Sequence, residues 1–289
     1  MRYFRLASGA SPGSLVVERD GTLYDLSASN PDLDSFRSLA RTAAIVGESI
    51  DTVAARHLSD AAVVERGRDP RWRLPLVAAE VWAAGVTYQI SEEARQAESS
   101  MPQMYIDVYD ADRPEIFFKA TPSRTVGPAD DVGVRTDSEW NVPEPELGIV
   151  LYRGSVVGYT IGNDVSSRTI EGANPLYLPQ AKVYDRCCAI GPCIASPETV
   201  GDPHDLEMSM TITRDGSVLF DETTSTSEMV RTCDELTSYL TRHNTVPDLC
   251  VLLTGTSLVP DEEFTLTGGD DVRIEIENVG TLSNGVTPV

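Results

Sequence analysis

Between Val142 and Asp164 the chain runs Val142-Pro143-Glu144-Pro145-Glu146-Leu147-Gly148-Ile149-Val150-Leu151-Tyr152. It turns at Arg153-Gly154-Ser155 and returns through Val156-Val157-Gly158-Tyr159-Thr160-Ile161-Gly162 to Asn163-Asp164. No other stretch restricts the fold as tightly, because two apolar arms about a Gly-centred turn predict a hairpin of buried strands. The open end of that hairpin is acidic. Side chains two apart on an extended strand point the same way, so Glu144 and Glu146 can converge on one point. A hairpin centred on Gly154 sets Asp164 opposite Glu144, and three carboxylates then share one side. A two-residue turn at Arg153-Gly154 would put Asp164 on the wrong face, so the arrangement requires a three-residue loop or a bulge.

Three clustered carboxylates repel one another and persist only with a cation or shared protons. Oxygen ligands without His or Cys select a hard cation, Mg²⁺ first, with Mn²⁺ or Ca²⁺ as alternatives. In a chain with 45 acidic residues, solvated surface acids are the competing explanation. The apolar arms and the prolines flanking the Glu pair count against it.

Lys119 and Lys182 are the only lysines, against 21 arginines. An ammonium is a compact, tunable charge, whereas guanidinium is a fixed planar fork, so the two retained lysines point to catalytic or substrate-binding use of at least one. Lys119 ends the run Glu115-Ile116-Phe117-Phe118-Lys119, which reads as a buried strand.

A net charge of −22 and a pI near 4.4 exclude nucleic acid and anionic membranes as partners. Acidic excess with so little Lys predicts a surface suited to concentrated salt. The start, Met1-Arg2-Tyr3-Phe4-Arg5, has no signal-like apolar core, and no stretch approaches ~20 apolar residues, which predicts a soluble cytoplasmic protein. The five cysteines form no CxxC pair, so buried reduced thiols are expected.

The chain is long enough for one large domain or two unequal ones. Residues 1–70 read as a small α+β unit: Asp20-Gly21 marks a hairpin, and Asn30-Pro31 offers an N-cap with proline at the first position of helical segments reaching about Leu58. Glu65-Arg66-Gly67-Arg68-Asp69-Pro70 is the candidate linker. Beyond it, strands are predicted at Val77 to Trp82, Glu115 to Lys119, Leu147 to Tyr152, Val156 to Gly162, Leu206 to Thr213 and Val272 to Glu277. Met229, Val230, Cys233, Leu236 and Leu240 predict one amphipathic helix packed on the core.

Glu144-Pro145-Glu146, followed by Gly158-Tyr159-Thr160-Ile161-Gly162-Asn163-Asp164-Val165-Ser166-Ser167-Arg168, resembles the fumarylacetoacetate hydrolase superfamily. The dehydratase branch acting on 2-keto-3-deoxy-pentonates is the more similar one, through Arg113-Pro114-Glu115-Ile116-Phe117-Phe118-Lys119-Ala120-Thr121-Pro122, Asp137-Ser138-Glu139-Trp140 and Asn174-Pro175-Leu176-Tyr177-Leu178-Pro179-Gln180-Ala181-Lys182. The resemblance covers about residues 76–289 and implies an α+β fold with a mixed β-sandwich roll as catalytic domain, and a homo-oligomer. It implies that Glu144, Glu146 and Asp164 hold the divalent ion and that Lys182 contacts substrate. Hydrolases of the superfamily carry a His after a GxNY-type segment. Here Gly85-Val86-Thr87-Tyr88 is followed at that spacing by Ser91, and His57, His204 and His243 lie outside every motif.

The resemblance, with no His at that spacing, implies Mg²⁺-dependent dehydration of a 2-keto-3-deoxy-pentonate to 2,5-dioxopentanoate. Glu115 is the candidate base for C3 or acid for the C4 hydroxyl. Lys119 either joins the carboxylate cluster, binds the substrate carboxylate or makes a structural ion pair. Thr256 and the Gly255 amide are candidates for holding the substrate's tail, and Tyr88 and Ser91 for a lid. A C–C hydrolase or oxaloacetate decarboxylase of the same superfamily is the first competitor, and a non-enzymatic ion-binding protein the second.

Overall fold

The computed structural model describes residues 1–7, 13–64, 72–88, 107–109 and 111–289. The linker candidate at 65–70 and Ser91 lie outside the described residues.

The chain opens on β1 (Arg2–Leu6), β2 (Leu15–Arg19) and β3 (Thr22–Asp25). Asp20 and Gly21 join β2 to β3 at φ of 51° and 77°, the mirror-image turn that suits the twist of a two-residue hairpin. Asn30 caps the next turn by accepting from the Asp32 amide, but only a three-residue 3₁₀ turn, Pro31–Leu33, forms there. The expected helical stretch divides into α1 (Phe36–Val46) and α2 (Ile50–Ala55), because Gly47 ends the first in a left-handed cap and Ser49 starts the second.

Then follow β4 (Glu80–Gly85), β5 (Glu115–Ala120), β6 (Pro145–Tyr152) and β7 (Ser155–Asp164), then α3 (Arg168–Ala173) and α4 (Leu178–Lys182). The rest comprises β8 (Cys188–Ala195), β9 (Glu207–Arg214), β10 (Ser217–Ser225), α5 (Cys233–Thr241), β11 (Leu249–Leu253), β12 (Asp271–Ile276) and β13 (Gly280–Pro288). Two boundaries differ most from expectation. β4 begins at Glu80, where pairing with β11 begins at Cys250, and Val77 is exposed. Thr232 caps α5, so Met229 and Val230 precede the helix, while Cys233, Leu236 and Leu240 form its buried stripe.

The large sheet runs Ala62–Val63, β3, β2, β1, β8, β7, β6, β11, β4, β5, and only β11 and β4 on this path are parallel. β1 pairs with β8, so the N-terminal strands extend the sheet that holds the acidic hairpin. A second sheet, β10-β9-β12-β13 with Val132–Val134 at its edge, packs on one face. On β6, Leu147, Ile149 and Leu151 share one core with Met208, Met210 and Ile274 of that sheet, while Val150 and Tyr152 join Phe36 and Leu39 of α1 in the opposite core. A strand covered on both faces must be apolar at successive positions, which is what the hairpin sequence shows.

The hairpin solves its register problem with a bulge. Arg153 and Gly154 form a two-residue turn at φ of 51° and 81°, and Tyr152 faces Ser155. Val157 is then left unpaired between Val156 and Gly158, the register shifts, and Pro145 ends opposite Asn163. Asp164 therefore arrives on the face of Glu144.

All five cysteines are free and buried. Among the described residues no helix is long and apolar enough to cross a membrane. Acidic side chains such as Asp221, Glu222, Glu262 and Glu263 are exposed. With a net charge of −22, screening of their repulsion is expected to raise the melting temperature in molar KCl over dilute buffer; equal melting in both would rule out adaptation to salt.

Candidate active site

Glu144 stands just ahead of β6, Glu146 within it, and Asp164 closes β7. The Asp164 amide donates to the Glu144 carbonyl at 2.9 Å, and Asn163 Oδ1 accepts from the Glu144 amide at 3.2 Å, which locks the open end of the hairpin. One oxygen from each of the three buried carboxylates lies within 4.8 Å of the others. Two oxygens bound to one Mg²⁺ at ~2.1 Å sit no more than ~4.2 Å apart, so small side-chain adjustments suffice. The donor set is all oxygen and fits a hard divalent cation.

Two ammonium groups frame the triad. Lys119 is fully buried on β5 and reaches Asp164 Oδ1 at 2.5 Å, the Val165 carbonyl at 2.9 Å and the Lys182 carbonyl at 2.5 Å. Its three donors are thereby taken. Lys182, at the end of α4, reaches Glu144 Oε2 at 2.6 Å, Ser166 Oγ at 2.7 Å and Asp164 Oδ2 at 3.3 Å. Unlike Lys119, it lines the pocket that holds the triad.

Electrostatics separate the three acids. Burial pushes Glu146 well above the usual carboxylate range, and Asp164 and Glu144 push it further, against the Gly255 amide and Lys182. Glu144 is raised by burial, with Lys182 and Arg168 opposing. Burial would also raise Asp164, but Lys119 and Lys182 overcome it and hold the group below its usual value. A buried trio in which two acids resist ionisation needs either a proton or a metal.

Glu115 comes to the same pocket from the start of β5. Burial, then Glu171, pushes its carboxyl up to about 7 against the pull of Lys182. Its place depends on Gly85 opposite, where a β-carbon would fall 2.1 Å from Glu115 Oε2. Gly255, at φ of 83°, is similarly fixed: a β-carbon would meet Thr87 Oγ1 at 2.1 Å.

The tail-binding candidates separate. Gly255 and Thr256 line the pocket, but the Gly255 amide is spent on Glu146 Oε2 at 2.5 Å. Thr256 Oγ1 accepts from the Leu258 amide at 3.0 Å and keeps its proton to donate. Tyr88 is fully buried and bridges to Met229. Ser91 lies outside the described residues.

Sequence reasoning gave no role to Arg168, Glu171 or Ser166. Ser167 caps α3, so Arg168 and Glu171 stand three apart on one turn; Arg168 contacts Glu144 Oε1 at 3.0 Å and Glu171 Oε2 at 3.8 Å. That spacing after the Asp164 strand was the available signal. None of the three histidines lines the pocket: His57 faces Asn30, His204 accepts from the Cys233 amide, and His243 follows α5.

Comparison with known proteins agrees with this geometry. Residues 80–287 match the fumarylacetoacetate hydrolase C-terminal family. Over the full length of both chains the protein is 65% identical to a probable 2-keto-3-deoxyxylonate dehydratase of Haloferax volcanii. It is 38% identical to the 2-dehydro-3-deoxy-D-arabinonate dehydratase of Saccharolobus solfataricus, covering 100% of this chain and 96% of that one. A solved 2-keto-3-deoxy-D-arabinonate dehydratase, complexed with magnesium and 2,5-dioxopentanoate, superposes with a TM-score of 0.84 at 35% identity, covering 100% of this chain and 99% of that one.

Proposed function

The chain belongs to the fumarylacetoacetate hydrolase family, and from that premise we propose that it is a Mg²⁺-dependent dehydratase converting a 2-keto-3-deoxy-pentonate to 2,5-dioxopentanoate. The observation that carries the proposal is the buried triad Glu144, Glu146 and Asp164, gathered within 4.8 Å in a pocket that also holds Lys182 and Glu115. End-to-end identity to two dehydratases supports the choice of reaction. The same proposal takes the enzyme to be cytoplasmic and self-associating.

Bound to the triad, Mg²⁺ supplies a Lewis acid for the oxygens of a 2-oxo acid. Lys182 adds a fixed cation at the same end of the pocket, where negative charge gathers as C3 loses its proton. Glu115, its carboxyl pushed up to about 7 by burial and Glu171, can take the C3 proton as the anion and, once protonated, donate to the leaving C4 hydroxyl. Proton and hydroxyl depart as one water. Tautomerisation of the resulting unsaturated 2-oxo acid carries the unsaturation to C5 as an aldehyde, with no further change in atoms. No water needs activation, which agrees with the absence of His from the pocket lining.

Incubation with Mg²⁺ and a 2-keto-3-deoxy-pentonate is expected to release 2,5-dioxopentanoate, whereas acylpyruvates and oxaloacetate remain intact. Acylpyruvate cleavage without pentonate dehydration would overturn the assignment. For Glu115, ionised as base, kcat/KM is expected to fall as pH drops through a value at or below about 7, since bound Mg²⁺ favours the anion. Glu115→Gln should lose that acid limb along with most of the rate; an unchanged limb would remove Glu115 from the reaction.

A further inference from the structure

The pocket holds more acid than the triad accounts for. Glu115 and Glu171 also line it, outside the group of oxygens within 4.8 Å formed by Glu144, Glu146 and Asp164. Glu171 is buried on α3, and its Oε2, 3.8 Å from Arg168 Nη1, has no hydrogen-bond partner among the described residues. A buried carboxylate oxygen in that state awaits a donor. The cations nearby are committed, because Arg168 and Lys182 both pair with Glu144, at 3.0 and 2.6 Å. Glu171 is also the strongest charge acting on Glu115, so the two acids feel one another directly.

A ligand entering this space therefore meets opposite receptions according to its tail. A hydroxyl finds a waiting acceptor. A second carboxylate finds two acids and cations already paired, and like charges in a partly dry pocket repel strongly.

We propose that Glu171, backed by Glu115, sets the tail specificity of the pocket by accepting a hydrogen bond from a hydroxyl on C4 or C5 of a 2-oxo acid and excluding 2-oxo acids with a second carboxylate. This rests on the pocket being a 2-oxo acid site, as proposed above, and not on dehydration occurring there. The residue thus separates polyol-derived 2-oxo acids from 2-oxo dicarboxylates by charge.

Three probes test it in the presence of Mg²⁺, with affinity read by calorimetry: pyruvate, which has no tail; 5-hydroxy-2-oxopentanoate; and 2-oxoglutarate, of equal chain length with a carboxylate at C5. The wild-type protein is expected to prefer the hydroxy acid over 2-oxoglutarate by about tenfold or more, the effect of a single modest charge interaction. Glu171→Gln should bring the two within about threefold, mainly by tightening 2-oxoglutarate, with pyruvate unchanged; Glu171→Asp should keep the preference. Equal wild-type affinities for the two tailed acids overturn the proposal without any variant, and so does an unchanged ratio in Glu171→Gln. If pyruvate binds and the ratio is flat, only the role of Glu171 falls. If no 2-oxo acid binds, the proposed function falls with it.

Discussion

Glu146→Gln is expected to lower kcat by about a thousandfold while making the metal-free protein more stable. The loss of rate follows from removing one of three oxygen anions that can share a divalent ion. The gain in stability follows from burial and from Asp164 and Glu144, which push the Glu146 carboxyl far above its ordinary value near 4.5. A carboxyl raised in the folded state contributes its stability fully below the unfolded value and loses it as pH rises toward the folded one. Wild type therefore carries a penalty at neutral pH that glutamine, neutral throughout, does not. The Gln carbonyl can still accept from the Gly255 amide, which donates to Glu146 at 2.5 Å, so the backbone there need not move.

Melting with and without Mg²⁺, from pH 5 to 8, measures both effects. The metal-free variant should melt higher than metal-free wild type by a margin that widens as pH rises, at about 2–4 °C per kcal/mol. Mg²⁺ should stabilise wild type by about 2.7 kcal/mol at a hundredfold excess over its dissociation constant, and the variant by far less. A variant that retains full turnover, or that melts lower at pH 8 without metal, would show that Glu146 does not belong to a metal-binding trio.

How much of this site is visible in sequence can be judged residue by residue. The convergence of Glu144, Glu146 and Asp164 was legible because side-chain alternation on a strand is a fixed period, and because burial on both faces leaves an unmistakable apolar run. What decided the register, the bulge at Val157, was not. Val156 and Val157 are the same residue type, and nothing local says which one stays unpaired. The helix expected from Asn30-Pro31 shrank to one turn although its cap formed as read, since a cap starts a helix but does not lengthen it. Arg168 and Glu171 were given no role because charged residues in a chain this acidic usually face solvent, and only tertiary packing buries these two. The Gly255 amide is a subtler case: proximity to the substrate space was foreseen, but its commitment to Glu146 is a long-range contact that local sequence does not encode.

The two lysines, alike in rarity, should part company under mutation. Lys119→Met is expected to cost about 3–5 kcal/mol of stability, the usual penalty for stranding one member of a buried ion pair, whereas Lys182→Met should cost less stability and abolish turnover. Lys119 is fully buried, does not line the pocket, and spends its donors on Asp164 and two backbone carbonyls from separate segments, at Val165 and Lys182. It is thus a clamp that holds Asp164 ionised and fixes the end of α4, from which the Lys182 side chain reaches the triad. Lys119→Arg should fare little better, because a planar fork does not reproduce three bonds radiating from one nitrogen. The sign of the pH dependence is also set. Asp164 is held below its ordinary value near 3.8, so the stability it gains from Lys119 is present above that value and fades in stronger acid. Urea unfolding of wild type and Lys119→Met should therefore differ most at pH 7, and the gap should narrow as pH falls below about 4 without closing, because the two carbonyl bonds of Lys119 do not titrate. If Lys119→Met unfolds at the wild-type urea midpoint at pH 7 yet loses all turnover, Lys119 acts on the substrate and the division of labour between the lysines is reversed.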